Sequence, residues 1–97
     1  MLTRKDLLLI SKDYFVILNQ TAYYIEFMSK RTGHCWIIYK HGSAEKYPVW
    51  LYHKHSQKDQ CYHLQRKKNF VDTAIKEIKA HDRYQKLGRK NIFGNLR

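Results

Sequence analysis

The sequence lacks the long apolar runs by which membrane and secreted proteins are recognised. The longest run near the N-terminus is Leu7–Ile10, whereas a membrane-spanning helix needs ~18–20 apolar residues. The run is also shorter than the ~7–15-residue core of a signal peptide, and no small-residue cleavage site follows it. We therefore expect a soluble, cytoplasmic protein with no membrane segment.

Cysteine, proline and glycine are scarce as well. The two cysteines, Cys35 and Cys61, are too few for the disulfide framework of a small secreted domain. The four glycines form no phosphate-binding loop, and no nucleophile-elbow motif surrounds Ser43. These absences argue against a nucleotide site and a serine hydrolase, and no cofactor is predicted.

Acidic residues are few compared with basic ones. The chain has 8 Asp and Glu against 19 Lys and Arg, for a formal net charge of +11. The acids are scattered and form no carboxylate cluster of the kind that metal-dependent nucleases use. Residues 54–97 alone hold 12 Lys and Arg against 4 Asp and Glu. Because like charges repel in a compact chain, this excess points to an anionic partner, most simply nucleic acid.

What the sequence does contain is enough apolar and aromatic material to fold. Hydrophobic residues make up 43% and aromatic residues 14% of the 97 positions, which is typical of a globular chain rather than a disordered basic tail. The length allows one modest core. We predict a single domain over residues 1–88 and a basic C-terminal tail over residues 89–97.

The pattern of residues predicts an α+β fold. Thr3 and Asp6 form a capping-box pattern that begins a short helix over about residues 4–11. Strands are predicted near residues 14–18, 22–28, 35–39, 49–53 and 61–66 from their aromatic and β-branched content, with a tight turn at Asn19–Gln20 and a glycine turn at Gly33. Their spacing is typical of a five-stranded antiparallel β-meander.

The hydrophobic period then changes to that of a helix. Val71, Ala74, Ile75 and Ile78 recur on one helical face after Asn69, a favourable N-cap. We predict an amphipathic helix over residues 70–87 that packs on one sheet face and ends at Gly88. Which sheet face it covers stays open, because strands three and four are apolar on both sides.

The predicted function is non-enzymatic binding of DNA or RNA. Aromatic rings on a sheet can stack on unpaired bases while cations follow the phosphate backbone, and alternation predicts a shared face for Trp36, Lys40, Trp50, Tyr52, Lys54, Tyr62 and Arg66. The three cations at the start of the last helix, Arg66, Lys67 and Lys68, are the best phosphate site. The predicted nucleic-acid-binding residues are Trp50, Tyr52, Lys54, Arg66, Lys67, Lys68, Arg83, Lys86, Arg89 and Lys90.

Two alternatives use other features of the chain. His53, His55 and His63 beside Lys54 are suited to a metal-independent, toxin-like ribonuclease, because imidazole titrates near neutral pH. The excess charge also suits a protein-interaction or inhibitor module that docks on an acidic surface.

Four potential metal ligands lie near one hairpin. If His55 pairs with Cys61, then His53 pairs with His63, and all four side chains point to one face. The spacing matches no closed zinc-finger pattern, however, and a one-residue slip in register would separate the two pairs. No metal site and no catalytic residue is therefore predicted.

Overall fold

The protein forms a five-stranded sheet flanked by two helices, as a computed structural model that describes residues 1–42 and 44–85 shows. The helices are α1 (Arg4–Leu8) and α2 (Val71–Arg83). The strands are β1 (Phe15–Gln20), β2 (Tyr24–Ser29), β3 (Cys35–Lys40), β4 (Val49–Lys54) and β5 (His63–Lys68). Each strand pairs antiparallel with the next in the order β1-β2-β3-β4-β5, which confirms the predicted α+β meander. Neither described helix is long and apolar enough to span a membrane.

Helix α2 covers one face of the sheet. The predicted apolar stripe of α2 is buried. These side chains pack against alternate residues of the three central strands and form a single core with them. The core residues of those strands are Ile25, Phe27, Trp36, Ile38, Val49 and Leu51. We call the face that carries Trp36, Ile38 and Leu51 the covered face. The face that carries Ile37, Trp50 and Tyr52 is called the open face.

Helix α1 lies on the covered side as well. Lys40 lies on the same face of β3 as Trp36 and Ile38. Its Nζ lies 2.7 Å from Asp6 Oδ2 of α1. The predicted capping box is present: Thr3 accepts from the backbone of Asp6, and Asp6 accepts from that of Thr3. The helix ends at Leu8, earlier than the predicted residue 11.

One turn differs from the sequence prediction and one agrees with it. Asn19 and Gln20 belong to β1, which carries an irregularity between Ile17 and Asn19, so the turn falls on residues 21–23. Gly33 adopts φ 75°, as its predicted turn requires.

Strand β5 begins at His63 rather than at Cys61. The preceding loop is closed by Asp59, whose carboxylate accepts from the backbone of His55 at 3.0 Å and whose carbonyl accepts from Lys54 at 3.0 Å. These bonds keep residues 55–62 out of the ladder. His53 lies opposite His63, but the pairing of His55 with Cys61, on which the sequence argument made this register conditional, is not part of the β4–β5 ladder.

The start of α2 is one residue later than predicted. Phe70 is its N-cap and provides no side-chain hydrogen bond, so Asn69 is not the cap. The predicted helix end near residue 87, Gly88 and the tail over residues 89–97 lie outside the described residues.

Asp82 anchors α2 to the end of the sheet. Its side chain is 1% exposed and accepts hydrogen bonds from Tyr14 at 2.8 Å and from Thr32 at 3.0 Å. Burial, and then the hydrogen bond to Asp82, raises the pKa of Tyr14 to about 12. The carboxylate thus ties the helix both to the segment before β1 and to the β2–β3 turn.

Replacing this anchor tests its contribution to stability. Asp82→Ala is expected to lower the free energy of unfolding by about 1–3 kcal/mol, because the hydroxyls of Tyr14 and Thr32 lose their acceptor. Asp72→Ala is the control: it removes an exposed acid from the first turn of the same helix, for a loss of about 0.5 kcal/mol. Urea denaturation measures both values, and equal losses would contradict the anchoring role.

Candidate functional site

The open face presents a mixture of aromatic and basic side chains. Along β4, Val49, Leu51 and His53 are buried, whereas Trp50, Tyr52 and Lys54 point to the other side and are partly exposed. Both described helices lie on the covered side. The open face is therefore the side of the sheet that neither described helix covers.

Two lysines lie over aromatic rings on this face. Lys67 of β5 is the cross-strand partner of Trp50, and its Nζ lies 4.0 Å from the centroid of the indole. The Nζ of Lys54 lies 4.7 Å from the centroid of the Tyr62 ring. Such contacts contribute about 0.5–1 kcal/mol at exposed sites. The indole of Trp50 is held in place by a 2.9 Å hydrogen bond from Nε1 to the carbonyl of Tyr47.

A groove of about 350 Å³ lies beside these pairs. It is lined by four tyrosines, one isoleucine and one acid: Tyr24, Glu26, Ile37, Tyr39, Tyr52 and Tyr62. The rings of Tyr24 and Tyr39 are nearly parallel, at 12°, with their centroids 6.1 Å apart. Tyr39 also contacts His41, which lies against Trp50 with a centroid distance of 4.0 Å. The aromatic surface is thus continuous from β2 across β3 to β4.

The residue 55–62 loop closes one end of the groove. Tyr62 donates a 2.7 Å hydrogen bond to Glu26 of β2, and Gln57 contacts Met28. Burial, and then the interaction with Glu26, raises the pKa of Tyr62 above its ordinary value. Cys35 is fully buried at this end, and burial raises the pKa of its thiol. The thiol is therefore protonated at neutral pH and is not a reactive nucleophile.

The three cations predicted as the best phosphate site do not share a face. Arg66 and Lys68 pair with Leu51 and Val49 on the covered side. There both cations contact Oε1 of Glu77 on α2, at 3.2 and 2.7 Å. Lys67 alone turns to the open face. The alternation of side chains along a strand separates neighbouring residues, so the triplet cannot form a single patch on the sheet.

The other predicted residues lie in three places. Trp50, Tyr52 and Lys54 are together on the open face, and Arg83 is exposed in the last turn of α2. Lys86, Arg89 and Lys90 lie outside the described residues. The predicted shared face is wrong for Trp36, Lys40 and Arg66, which are on the covered side.

A second group of functional side chains lies at one end of the covered face. His34 immediately precedes β3, His53 lies in β4 and His81 lies in α2. Nδ1 of His34 and Nε2 of His53 are 2.8 Å apart, and one ring nitrogen from each of the three residues lies within 4.8 Å of the others. The ring of His53 stacks on Trp36 at 4.1 Å. Three separate elements thus bring three imidazoles together, and we call them the histidine cluster.

Burial disfavours the charged form of two members of the histidine cluster, His53 and His81. His53 is 3% exposed. Burial and the neighbouring histidines, His81 first, lower its pKa to about 3. Burial also lowers the pKa of His81, although Asp82 and Glu77 oppose the shift. A buried, neutral His53 offers no support for the ribonuclease alternative, in which that ring would exchange protons with RNA.

The histidine cluster differs from the ligand set considered from the sequence. Of His53, His55, Cys61 and His63, only His53 belongs to it, and the other three are exposed. Sequence reasoning missed His34 because it precedes the strand pattern. His81 did carry a signal, since it follows Ile78 by three positions and so continues the buried stripe of α2.

No protein-family model, curated protein or solved structure matches this chain. Its function is therefore inferred from the geometry of the two faces.

The contact between Tyr62 and Glu26 gives a testable alkaline titration. Glu26→Gln is expected to lower the pKa of Tyr62, because a neutral amide no longer disfavours the phenolate. The Tyr62 signal is obtained as the difference in phenolate absorbance between each protein and its Tyr62→Phe counterpart. Because the folded pKa lies above the unfolded value of about 10, the group stabilises the fold below that pH and loses this contribution as the pH rises. Identical difference titrations in the wild-type and Glu26→Gln backgrounds would contradict the assignment.

Proposed function

We propose that this protein is a small, non-enzymatic nucleic-acid-binding protein and that the open face is its contact surface. The observation that supports the proposal is the placement of Lys67 over Trp50 and of Lys54 over Tyr62 on the side of the sheet away from both described helices. Each pair places a positive charge next to an aromatic ring, the two kinds of group that contact the phosphate and the base of a nucleotide.

The aromatic content of the face favours single-stranded nucleic acid over a duplex. Stacking needs an exposed face of the base, which only unpaired nucleotides offer, and each stacked base contributes about 1–3 kcal/mol. The partly exposed rings of Trp50, Tyr52 and Tyr39 extend across neighbouring strands. A strand of nucleic acid crossing the sheet therefore meets several rings in succession.

The positive charge of the chain contributes to binding in a way that does not depend on the sequence of the nucleic acid. Lys54 and Lys67 lie on the open face itself. Arg66 and Lys68 share one carboxylate oxygen of Glu77, so their positive charge is partly neutralised within the protein. We therefore assign the direct phosphate contacts to Lys67 and Lys54 first, and long-range attraction to the net charge of the whole chain, +11.

Binding is tested with fluorescently labelled single-stranded DNA, single-stranded RNA and duplex DNA at two salt concentrations. We expect tighter binding to the single strands, with an affinity that falls steeply as salt is raised. Trp50→Ala is expected to weaken single-strand binding by about fivefold or more, the lower limit for loss of one stacked base.

A charge-matched pair of variants separates local contact from net charge. Lys67→Gln and Lys76→Gln each remove one positive charge, but Lys76 is exposed on α2, on the other side of the sheet. Lys67→Gln should weaken binding several-fold more than Lys76→Gln does. Equal losses, or no binding of any oligonucleotide at ~50 mM salt, would overturn the proposal.

The same assay identifies the two alternatives. Cleavage of the RNA in the presence of a chelator would support a ribonuclease instead. Binding of polyglutamate as tightly as of oligonucleotides, unaffected by Trp50→Ala, would support a partner with an acidic protein surface.

A further inference from the structure

We propose that His34, His53 and His81 bind a divalent transition-metal ion, with Zn²⁺ as the reference ion. The site lies on the covered side of the sheet and is independent of the open face. Its ligands come from the β2–β3 turn, strand β4 and helix α2, so a bound ion would cross-link three elements of the fold.

The backbone segments that carry the three histidines are held by contacts that do not involve the rings themselves. The backbone carbonyl of His34 accepts from Ser29 at 2.9 Å, and the backbone N–H of His34 donates to Thr32 at 3.2 Å. Thr32 in turn donates to Asp82, the neighbour of His81. His53 is held in the β3–β4 ladder opposite Trp36. The histidines are therefore brought together by the fold, not by chance orientation of long side chains.

The distances are close to those of a zinc site. Zinc–nitrogen bonds of 2.0–2.1 Å at tetrahedral angles place two ligand nitrogens about 3.3 Å apart. The structure has 2.8 Å between His34 Nδ1 and His53 Nε2, and no pair among the three donor atoms exceeds 4.8 Å. Small rotations of the rings therefore bring all three nitrogens to bonding distance of one ion.

The protonation of the rings is compatible with metal binding. Two neutral imidazoles at 2.8 Å share one N–H, which one ring donates and the other accepts. For both nitrogens to bind an ion, that proton moves to the outer nitrogen of its own ring, and the charge of the ring does not change.

One member of the histidine cluster carries an unsatisfied polar atom. Nδ1 of His81 is buried and has no hydrogen-bond partner among the described residues. A buried polar atom without a partner costs free energy, and native structures seldom retain one without a reason. Coordination, directly or through a change of tautomer and ring rotation, would satisfy it.

The ligand chemistry selects the class of ion. Imidazole nitrogens suit Zn²⁺, Cu²⁺, Ni²⁺ and Fe²⁺, whereas Mg²⁺ and Ca²⁺ require oxygen ligands. The histidine cluster itself provides no carboxylate. Three histidines also leave one position of a tetrahedral ion open for an exogenous ligand.

The test uses the full chain without a histidine tag, stripped of metal by a chelator and then dialysed. Co²⁺ is the spectroscopic probe, because its visible absorption depends on the number of ligands that coordinate it. Zn²⁺ is then added to displace the Co²⁺. We expect binding of one ion per chain. The thermal midpoint should rise by on the order of 10 °C when free Zn²⁺ is about 100-fold above its Kd.

Two histidine variants decide between the proposed site and nonspecific binding. His81→Ala should weaken Zn²⁺ binding more than about tenfold, since loss of even an outer-shell partner costs about 10–100-fold. His41→Ala is the matched control, because His41 packs against Tyr39 and Trp50 on the open face. The Zn²⁺ affinity of this variant should equal that of the wild type.

Circular dichroism verifies that each variant is folded before metal is added. His34→Ala serves as a second ligand variant if His81→Ala does not fold. Absence of stoichiometric Zn²⁺ binding, or an equal affinity in the ligand variant and His41→Ala, would overturn the proposal.

Discussion

The register between β3 and β4 is the constraint on which the rest of the structure depends. Trp36 lies opposite His53, and Tyr39 lies opposite Trp50. Because side chains alternate along a strand, this pairing places one tryptophan in the core and the other on the open face. Both strands are apolar on both sides, so hydrophobicity alone would permit either arrangement. A slip by one residue would exchange the faces of β4, burying Lys54 and exposing His53.

The covered face changes character along its length. Its middle is aliphatic and aromatic, and α2 packs there through Ala74 and Ile78. At one end the core becomes polar. The indole of Trp36 donates a 3.1 Å hydrogen bond to Ser29, and the histidine cluster packs around the same indole. Asp82 accepts hydrogen bonds from two hydroxyl groups. Polar groups in a core are tolerated when they are paired. The proposed metal site includes one group for which this requirement is not met, Nδ1 of His81.

The sequence was sufficient to predict the fold class and the buried stripe of α2, because each depends on a local hydrophobic period. It was not sufficient to determine which face carries each charge. Arg66, Lys67 and Lys68 are adjacent in the chain, yet side-chain alternation along β5 divides them between two faces. The histidine cluster joins residues 34, 53 and 81, and no local pattern connects positions so far apart.

The central claim is that the open face binds nucleic acid, and the two indole N–H groups test it directly. In a two-dimensional NMR spectrum of nitrogen-15-labelled protein, each tryptophan gives one indole signal, and the two tryptophans lie on opposite faces of the sheet. On addition of an unlabelled single-stranded oligonucleotide, the indole signal of Trp50 and the amide signals of β4 and β5 should shift, while the indole signal of Trp36 stays in place. Shifts confined to the exposed surface of α2, or a spectrum that does not change, would contradict the account.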